Sequence, residues 1–402
     1  MGFPVGNRGE PVFDAALGNA QVLDELAREV SKRLAPVKGQ CPAGGCQNGA
    51  AGSVGNGRSS REGGKARRRE LLRLVKVFAC TPAPLDALER FAASLHRPSA
   101  VDEALVRDVE RLIAAVGAAY DTTTARKLLV PARLLVERTT RLLDGSMFSG
   151  ERERLLRCAS EGSLVIGWLR FNLDQRADAR ASFLLAQGLA HEARDDVVQA
   201  RALGAMSCAY STTYQGGAAG KALELAVQAN AVLPEHAPAG VCSWLAMREA
   251  AEHAASRHAS EYQQLAERAE GAVSQAQSEL GVFGAWDDSF LNGHKGKCLW
   301  LLQQPAAAEQ ALLAGLTHAS LARQKTQIAR NLATVYAVQD DAEAACGMAR
   351  QALGFVLDIR YVLGLQRLLV VRKGFPGEWA NLSYVQELDE QLRLAMRKLR
   401  VS

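Results

Sequence analysis

The residue types able to do chemistry are scattered along this chain rather than gathered. Seven histidines occur: His96, His191, His236, His253, His258, His294 and His318. Only His253 and His258 are close, and their five-residue separation departs from the four-residue step that sets two metal ligands on one helix face. Glu249 precedes His253 by four residues, but no third ligand is evident in the sequence. Of eight cysteines, only Cys41 and Cys46 are neighbours. Their spacing fits neither a Cys-x-x-Cys redox pair nor a zinc half-site with a second pair at hand. Gly52-Ser-Val-Gly-Asn-Gly57 lacks the lysine–serine of a phosphate loop, and no Gly-x-Ser-x-Gly elbow or zincin motif occurs. The expectation is a non-enzymatic protein: no catalytic residues, no cofactor and no metal.

The elements that would position a binding site are helices. The 402 residues are 48% hydrophobic but only 6% aromatic, and alanine and leucine dominate, which favours closely packed helices over a sheet. Gly167 is followed 12, 16 and 19 residues later by Ala179, Phe183 and Ala186. Small, aromatic and small side chains at that spacing let two antiparallel helices of a tetratricopeptide hairpin approach, with Phe183 filling the gap. Similar marks recur, 43 residues apart at Ala179 and Ala222 and 37 apart at Ala308 and Ala345, against an ideal of about 34.

The predicted fold is therefore all-α: a tetratricopeptide-like helical hairpin solenoid with helical caps and a disordered glycine-rich N-terminal segment. Residues 1–64 read as irregular, with one short amphipathic helix over 20–34 and a glycine-rich linker over 39–64 that cannot bury enough apolar surface to fold. Residues 65–149 read as an N-terminal helical cap. Within it lie helices over 67–80 and 85–95, one capped by Ser99, and one over 123–143 that Pro131 either kinks or splits. The array spans 150–357, with helices at 151–172, 176–193, 196–214, 218–233, 240–256, 259–279, 288–303, 305–319, 323–338 and 341–357. Residues 358–402 form C-terminal capping helices.

The formal net charge of +5 is interspersed and reads mainly as a solvated surface. The apolar run after Arg67-Arg68-Arg69 is interrupted by Arg73 and Lys76, so it reads as an amphipathic helix rather than an export signal. No uncharged apolar stretch reaches membrane-spanning length. Cysteines set singly beside alanine or leucine suit a reducing, cytoplasmic setting.

Stacked first helices of such an array line a concave surface, and a peptide lying there needs partners for its backbone. Candidate ligand- or peptide-binding residues on first helices are Arg201, Arg248, Asn292, Lys295, Gln327, Arg330 and Asn331. Asparagine and glutamine both donate and accept, and arginine suits carboxylates. Trp168 and Trp244, nearby, read as packing residues.

The runs Glu161-Gly-Ser-Leu164-Val-Ile-Gly167-Trp168-Leu-Arg-Phe171-Asn, Ala200-Arg-Ala-Leu-Gly204-Ala-Met-Ser207, Trp244-Leu-Ala-Met-Arg-Glu249-Ala and Asn292-Gly293-His-Lys-Gly296-Lys-Cys-Leu299 resemble the repeat region of actinobacterial transcriptional regulators. Those proteins join an Xre/Cro-type helix-turn-helix to a tetratricopeptide sensor domain. Arg68-Arg69-Glu70-Leu71-Leu72 resembles the junction downstream of their DNA-binding domain, and the array is more distantly similar to peptide-pheromone receptors. Asn331 resembles asparagines that clamp peptide backbones in such receptors. The resemblance covers roughly 65–400, and residues 1–64 contain no recognisable helix-turn-helix. It implies a regulatory sensor that binds a peptide, small ligand or protein in its concave groove. The alternatives are a scaffold without a switching role and a DNA-binding regulator with a diverged N-terminus. Nucleic acid and homodimer formation stay open; no membrane partner is expected.

Overall fold

The computed structural model describes residues 72, 74–94, 101–214, 217–273 and 286–399. The readings made for the helix at 20–34, the glycine-rich tract, Cys41, Cys46 and Ser99 lie outside these residues. Two units divide the chain, 1–79 and 80–402. The described part of the first is a short helical stretch over 74–78.

The second unit is all-α, and no strand occurs among the described residues. It opens with α1 (Leu85–Ser94), α2 (Glu103–Ala118) and α3 (Ala125–Leu142). Five hairpins follow, each a first helix packed most extensively on the helix after it. They are α4 (Ser149–Asn172) with α5 (Arg176–Glu192), α6 (Asp196–Tyr210) with α7 (Ala219–Val232), and α8 (Ala239–Ala255) with α9 (Ala259–Val273). Then come α10 (Asp288–Leu301) with α11 (Pro305–His318), and α12 (Ala322–Val338) with α13 (Ala342–Asp358). The chain ends on α14 (Val362–Lys373) and α15 (Ser383–Leu399). First helices also touch one another in series from α4 to α14, which makes the unit a helical-hairpin repeat solenoid.

Close approach within hairpins rests on missing side chains. A Cβ placed on Gly167 would lie 2.3 Å from Phe183 Cε1, and one on Gly296 would lie 2.4 Å from Leu312 Cγ. Gly204 plays the same part between neighbouring hairpins, 2.5 Å from Leu245 Cδ2 by the same measure. Phe183, Ala179 and Ala186 are fully buried, as their spacing requires. Ser160 and Ser207, buried on first helices, donate to the carbonyls of Ala186 and Ala222 on the second helices, tying each hairpin by a side chain as well as by packing.

Four of the five hairpin turns share one device. Asp174, Arg257, Gln303 and Asp340 end first helices with positive φ between 60° and 62°. The next residue's N–H then reaches back to a carbonyl of the last helical turn, as in Gln175 to Arg170 at 2.9 Å and Gln304 to Leu299 at 2.9 Å. Arg194 and Arg360 repeat this between hairpins.

One local expectation is corrected: the cap of α2 is Asp102, whose Oδ1 accepts from Leu105 N–H at 2.8 Å. Of the two readings for Pro131, the split does not occur: α3 runs through it, with Pro131 on its buried face. Among the described residues, no helix is long and apolar enough to cross a membrane.

The substitution Gly167→Ala is expected to destabilise the protein by about 1–3 kcal/mol through overpacking against Phe183. Combining it with Phe183→Leu should cost less than the sum of the two, because the smaller side chain relieves the clash. Urea denaturation of the two single variants and the double variant measures this; strict additivity would refute it.

Candidate functional site

The inner face of the solenoid is not an open trough. Arg323, at the start of α12, donates through Nη2 to the carbonyl of Tyr120 at 2.5 Å, in the α2–α3 connection some 200 residues earlier. Its guanidinium lies 4.3 Å from the Tyr120 ring centre and 5.6 Å from that of Tyr361, the residue preceding α14. Arg367 of α14 lies over Phe171 of α4 at 5.4 Å, and Leu363 joins the core of the first hairpins. Lys297 of α10 reaches the carbonyl of Thr213 beyond α6 at 3.4 Å. The coil thus closes across its own concave side.

What remains between the first helices is a cavity of about 200 Å³. Every first helix contributes to its wall: Trp168 and Phe171 from α4, Arg201 and Cys208 from α6, Trp244 from α8, Phe290 and His294 from α10, Gln324 and Gln327 from α12. Trp286, just before α10, and Arg367 from α14 also line it, with Tyr120, Asp121, Arg323 and Tyr361. Trp168 makes edge-to-face contacts with Phe171 and Phe183 at 5.5 and 5.4 Å, so it both packs a hairpin and borders the cavity. Trp286 is held by its indole N–H donating to Ser243 Oγ at 2.9 Å, and stacks on Phe290 at 5.6 Å.

The charge of this interior is cationic. Arg201 pairs with Glu161 across α6 and α4. Arg248 pairs with Glu252 one turn further along α8. Nε of Arg248 donates to Ser207 Oγ at 3.2 Å, and Ser211 Oγ donates to Glu252 at 2.5 Å. Burial, with the charges of Arg248, Arg330 and Arg367 facing it, holds the Lys297 ammonium well below its usual range. Asp121, beside Arg323 at 3.8 Å, has its carboxyl raised by burial against the lowering effect of that arginine. Burial likewise raises the pKa of the Cys208 thiol, which lies in the cavity wall.

Comparisons with known proteins place no label on this arrangement. No protein-family model matches the chain, and no curated protein matches it.

Of the residues singled out in the sequence, Arg201 and Gln327 line the cavity. Arg248 is buried beside it in the Glu252–Ser207–Ser211 network. Arg330 donates to Asn331 Oδ1 at 2.9 Å, and Asn331 is buried. Asn292 and Lys295 point elsewhere. Asn292 Cβ sits against Gly315 of α11, and Lys295 pairs with Glu270 of α9. On α10 the inward residues are Phe290, His294 and Lys297, spaced by four and three, so Asn292 and Lys295 fall off that face. The sequence reading missed Arg323, Gln324, Arg367, Trp286 and Lys297. Helical spacing from Phe290 would have found Lys297; nothing local marks Arg323 or Arg367.

His294 offers a measurable readout. Its Nδ1 bonds the Phe290 carbonyl at 2.9 Å, and its ring lies 4.9 Å from Trp286. Burial, with the charges of Lys297 and Arg248 adding to it, lowers its pKa from 6.5 to about 4. The folded protein therefore holds it neutral where the unfolded chain is protonated. Its contribution is complete above pH 6.5 and is lost progressively as pH falls toward about 4, at up to about 1.4 kcal/mol per pH unit. Denaturation midpoints between pH 7 and pH 4 should fall less steeply for His294→Gln; parallel slopes would contradict this assignment.

Proposed function

We propose that this protein is a non-enzymatic regulatory sensor of tetratricopeptide type that binds a small amphipathic anion in the cavity on the inner side of its helical array. The observation that carries this reading is the pairing of aromatic and cationic walls in one cavity. Trp168, Trp244, Phe290 and Tyr361 present flat apolar surface, and Arg201, Arg323 and Arg367 present guanidinium groups that match a carboxylate or phosphate.

Polar atoms at the wall add to it. The amide oxygen of Gln324 and Nε and Nη1 of Arg323 are buried without a hydrogen-bond partner among the described residues. Leaving such groups unsatisfied costs about 1–3 kcal/mol each, and a ligand offering an anionic group beside a donor would recover part of it. The enclosure favours a compact ligand over an extended peptide, because Arg323 and Lys297 bridge the face along which a peptide would lie. The sensor reading is preferred to the adaptor reading because aromatic and cationic side chains from successive first helices converge on one cavity instead of running along a groove.

Support for the tetratricopeptide assignment is the Gly167–Phe183 packing, which recurs in kind at Gly296–Leu312. A cytoplasmic setting accords with the six described cysteines, all free thiols. Ligand occupancy would act by shifting hairpins that slide on one another, since every first helix reaches the same cavity.

The test is a thermal-shift screen of planar carboxylic and phosphoric acids alongside their neutral amides and esters. Acids are expected to raise the melting temperature and the neutral analogues to leave it unchanged. Gln327→Trp, at a half-buried wall position, fills the cavity and should abolish the response while preserving the helical circular dichroism. Hydrogen exchange with the best ligand should gain protection across several hairpins. A response retained in Gln327→Trp, or protection confined to one hairpin, would overturn the reading.

A further inference from the structure

The α8–α9 turn, outside the cavity wall, brings together residues whose sequence spacing disguises them. A continuous helix would set His253 and His258 on different faces. The helix does not continue: Arg257 takes a φ of 61°, and His258 N–H returns to the carbonyl of His253 at 2.9 Å. The chain reverses, and α9 begins at Ala259. His253, from the last turn of α8, then faces His258 with Nδ1 to Nδ1 at 3.4 Å. Glu261, in the first turn of α9, completes the group, and one ligand atom from each of the three lies within 4.8 Å of the others.

We propose that His253, His258 and Glu261 form a binding site for a divalent transition-metal ion, zinc foremost. Two imidazole nitrogens about 2.0–2.1 Å from a tetrahedral ion stand about 3.3–3.4 Å apart. The observed separation matches that, whereas it is long for a hydrogen bond between two rings. Two histidines and a carboxylate make a borderline donor set suited to zinc, nickel or cobalt rather than to magnesium or calcium. Water would fill the fourth position, because His258 and Glu261 are exposed.

A supporting shell is also in place. The Nε2 of His253 faces Glu249 Oε1 at 3.8 Å, one turn back along α8, on the side of the ring away from the proposed ion. Glu249 is itself fixed by Asn230 of α7, whose Nδ2 donates to Oε2 at 2.8 Å. At 3.8 Å the approach of His253 to Glu249 is a charge contact and not yet a hydrogen bond; a small shift of the ring on metal binding would bring the carboxylate into the range in which it orients a ligating histidine. Ser260 Oγ donates to Glu261 at 2.6 Å, which holds that carboxylate in place. The ion would pin the end of α8 to the start of α9. Since α8 also carries Trp244 and Arg248, it would stiffen one wall of the cavity.

The experiment uses the full chain, without a histidine tag, stripped with chelator and titrated with cobalt(II). One equivalent is expected to give the visible bands of tetrahedral cobalt, and zinc(II) should displace it. His258→Ala should abolish the bands. Glu261→Gln, which keeps the side-chain length and the helix start, should weaken binding at least tenfold. His236→Ala, at an exposed position elsewhere, should leave it unchanged. Three results would overturn the assignment: no saturable binding by the wild-type chain, bands unaltered in His258→Ala, or a thiolate-to-cobalt charge-transfer band placing the ion on cysteine.

Discussion

Arg323 is the constraint on which the interior depends. Its guanidinium hydrogen-bonds the carbonyl of Tyr120, lies over the rings of Tyr120 and Tyr361, and stands 3.8 Å from Asp121. One side chain on α12 thereby joins the α2–α3 connection to the entrance of α14. An array of this kind would otherwise leave its first helices facing solvent, where polar side chains are cheap to keep. Once the coil closes, those side chains are buried and must find partners. The pairs Glu161–Arg201 and Arg248–Glu252 answer that demand. Such pairs add little net stability, because desolvation offsets most of their attraction, but losing one partner leaves a buried charge at high cost. Glu161–Arg201 joins α4 to α6 directly, whereas Arg248–Glu252 lies within α8 and reaches the end of α6 through Ser207 and Ser211.

Closure in turn depends on how tightly each hairpin folds. Glycines at 167, 204, 293 and 296 let helices approach until the opposing side chains fill the space a Cβ would need. The turns are set by residues with side chains in the left-handed region, Asp174, Arg257, Gln303 and Asp340, each costing about 1–2 kcal/mol relative to glycine. The same turn geometry recurs in four of the five hairpins; α6 instead leaves through an extended Ser211. Trp168, Trp244 and Phe290, on three different hairpins, border the same cavity.

How much of this the sequence disclosed follows from the range over which each feature acts. The Gly167–Phe183 contact was legible because both residues belong to one hairpin, and helical spacing links them directly. Helix limits were legible to within a few residues for the same reason. The bridging role of Arg323 was not, since its partner lies about 200 residues away. On α10 the conspicuous polar residues, Asn292 and Lys295, drew attention away from Lys297. Only the phase of the helix relative to Gly293 and Gly296 decides which of them faces inward. The approach of His253 to His258 was hidden by a premise that fails here. A five-residue step excludes two ligands on an unbroken helix, but Arg257 breaks it without the glycine that would have announced a turn.

The same interior that closes the coil also makes its stability conditional. Lys297 is held near three arginine side chains, and burial disfavours its charge. Gln324 Oε1 and Asn331 Nδ2 are buried without hydrogen-bond partners among the described residues. An apolar core of the same volume would avoid both costs. On the proposed reading, a molecule that brought negative charge and hydrogen-bonding groups to the cavity would bind the folded state alone, and so stabilise it according to its concentration and affinity. Because the cavity wall draws on every hairpin from α4 to α13, that gain would be shared by the whole array. The cavity is inseparable from the fold that forms it: the side chains that border it are also those that pack and bridge the first helices.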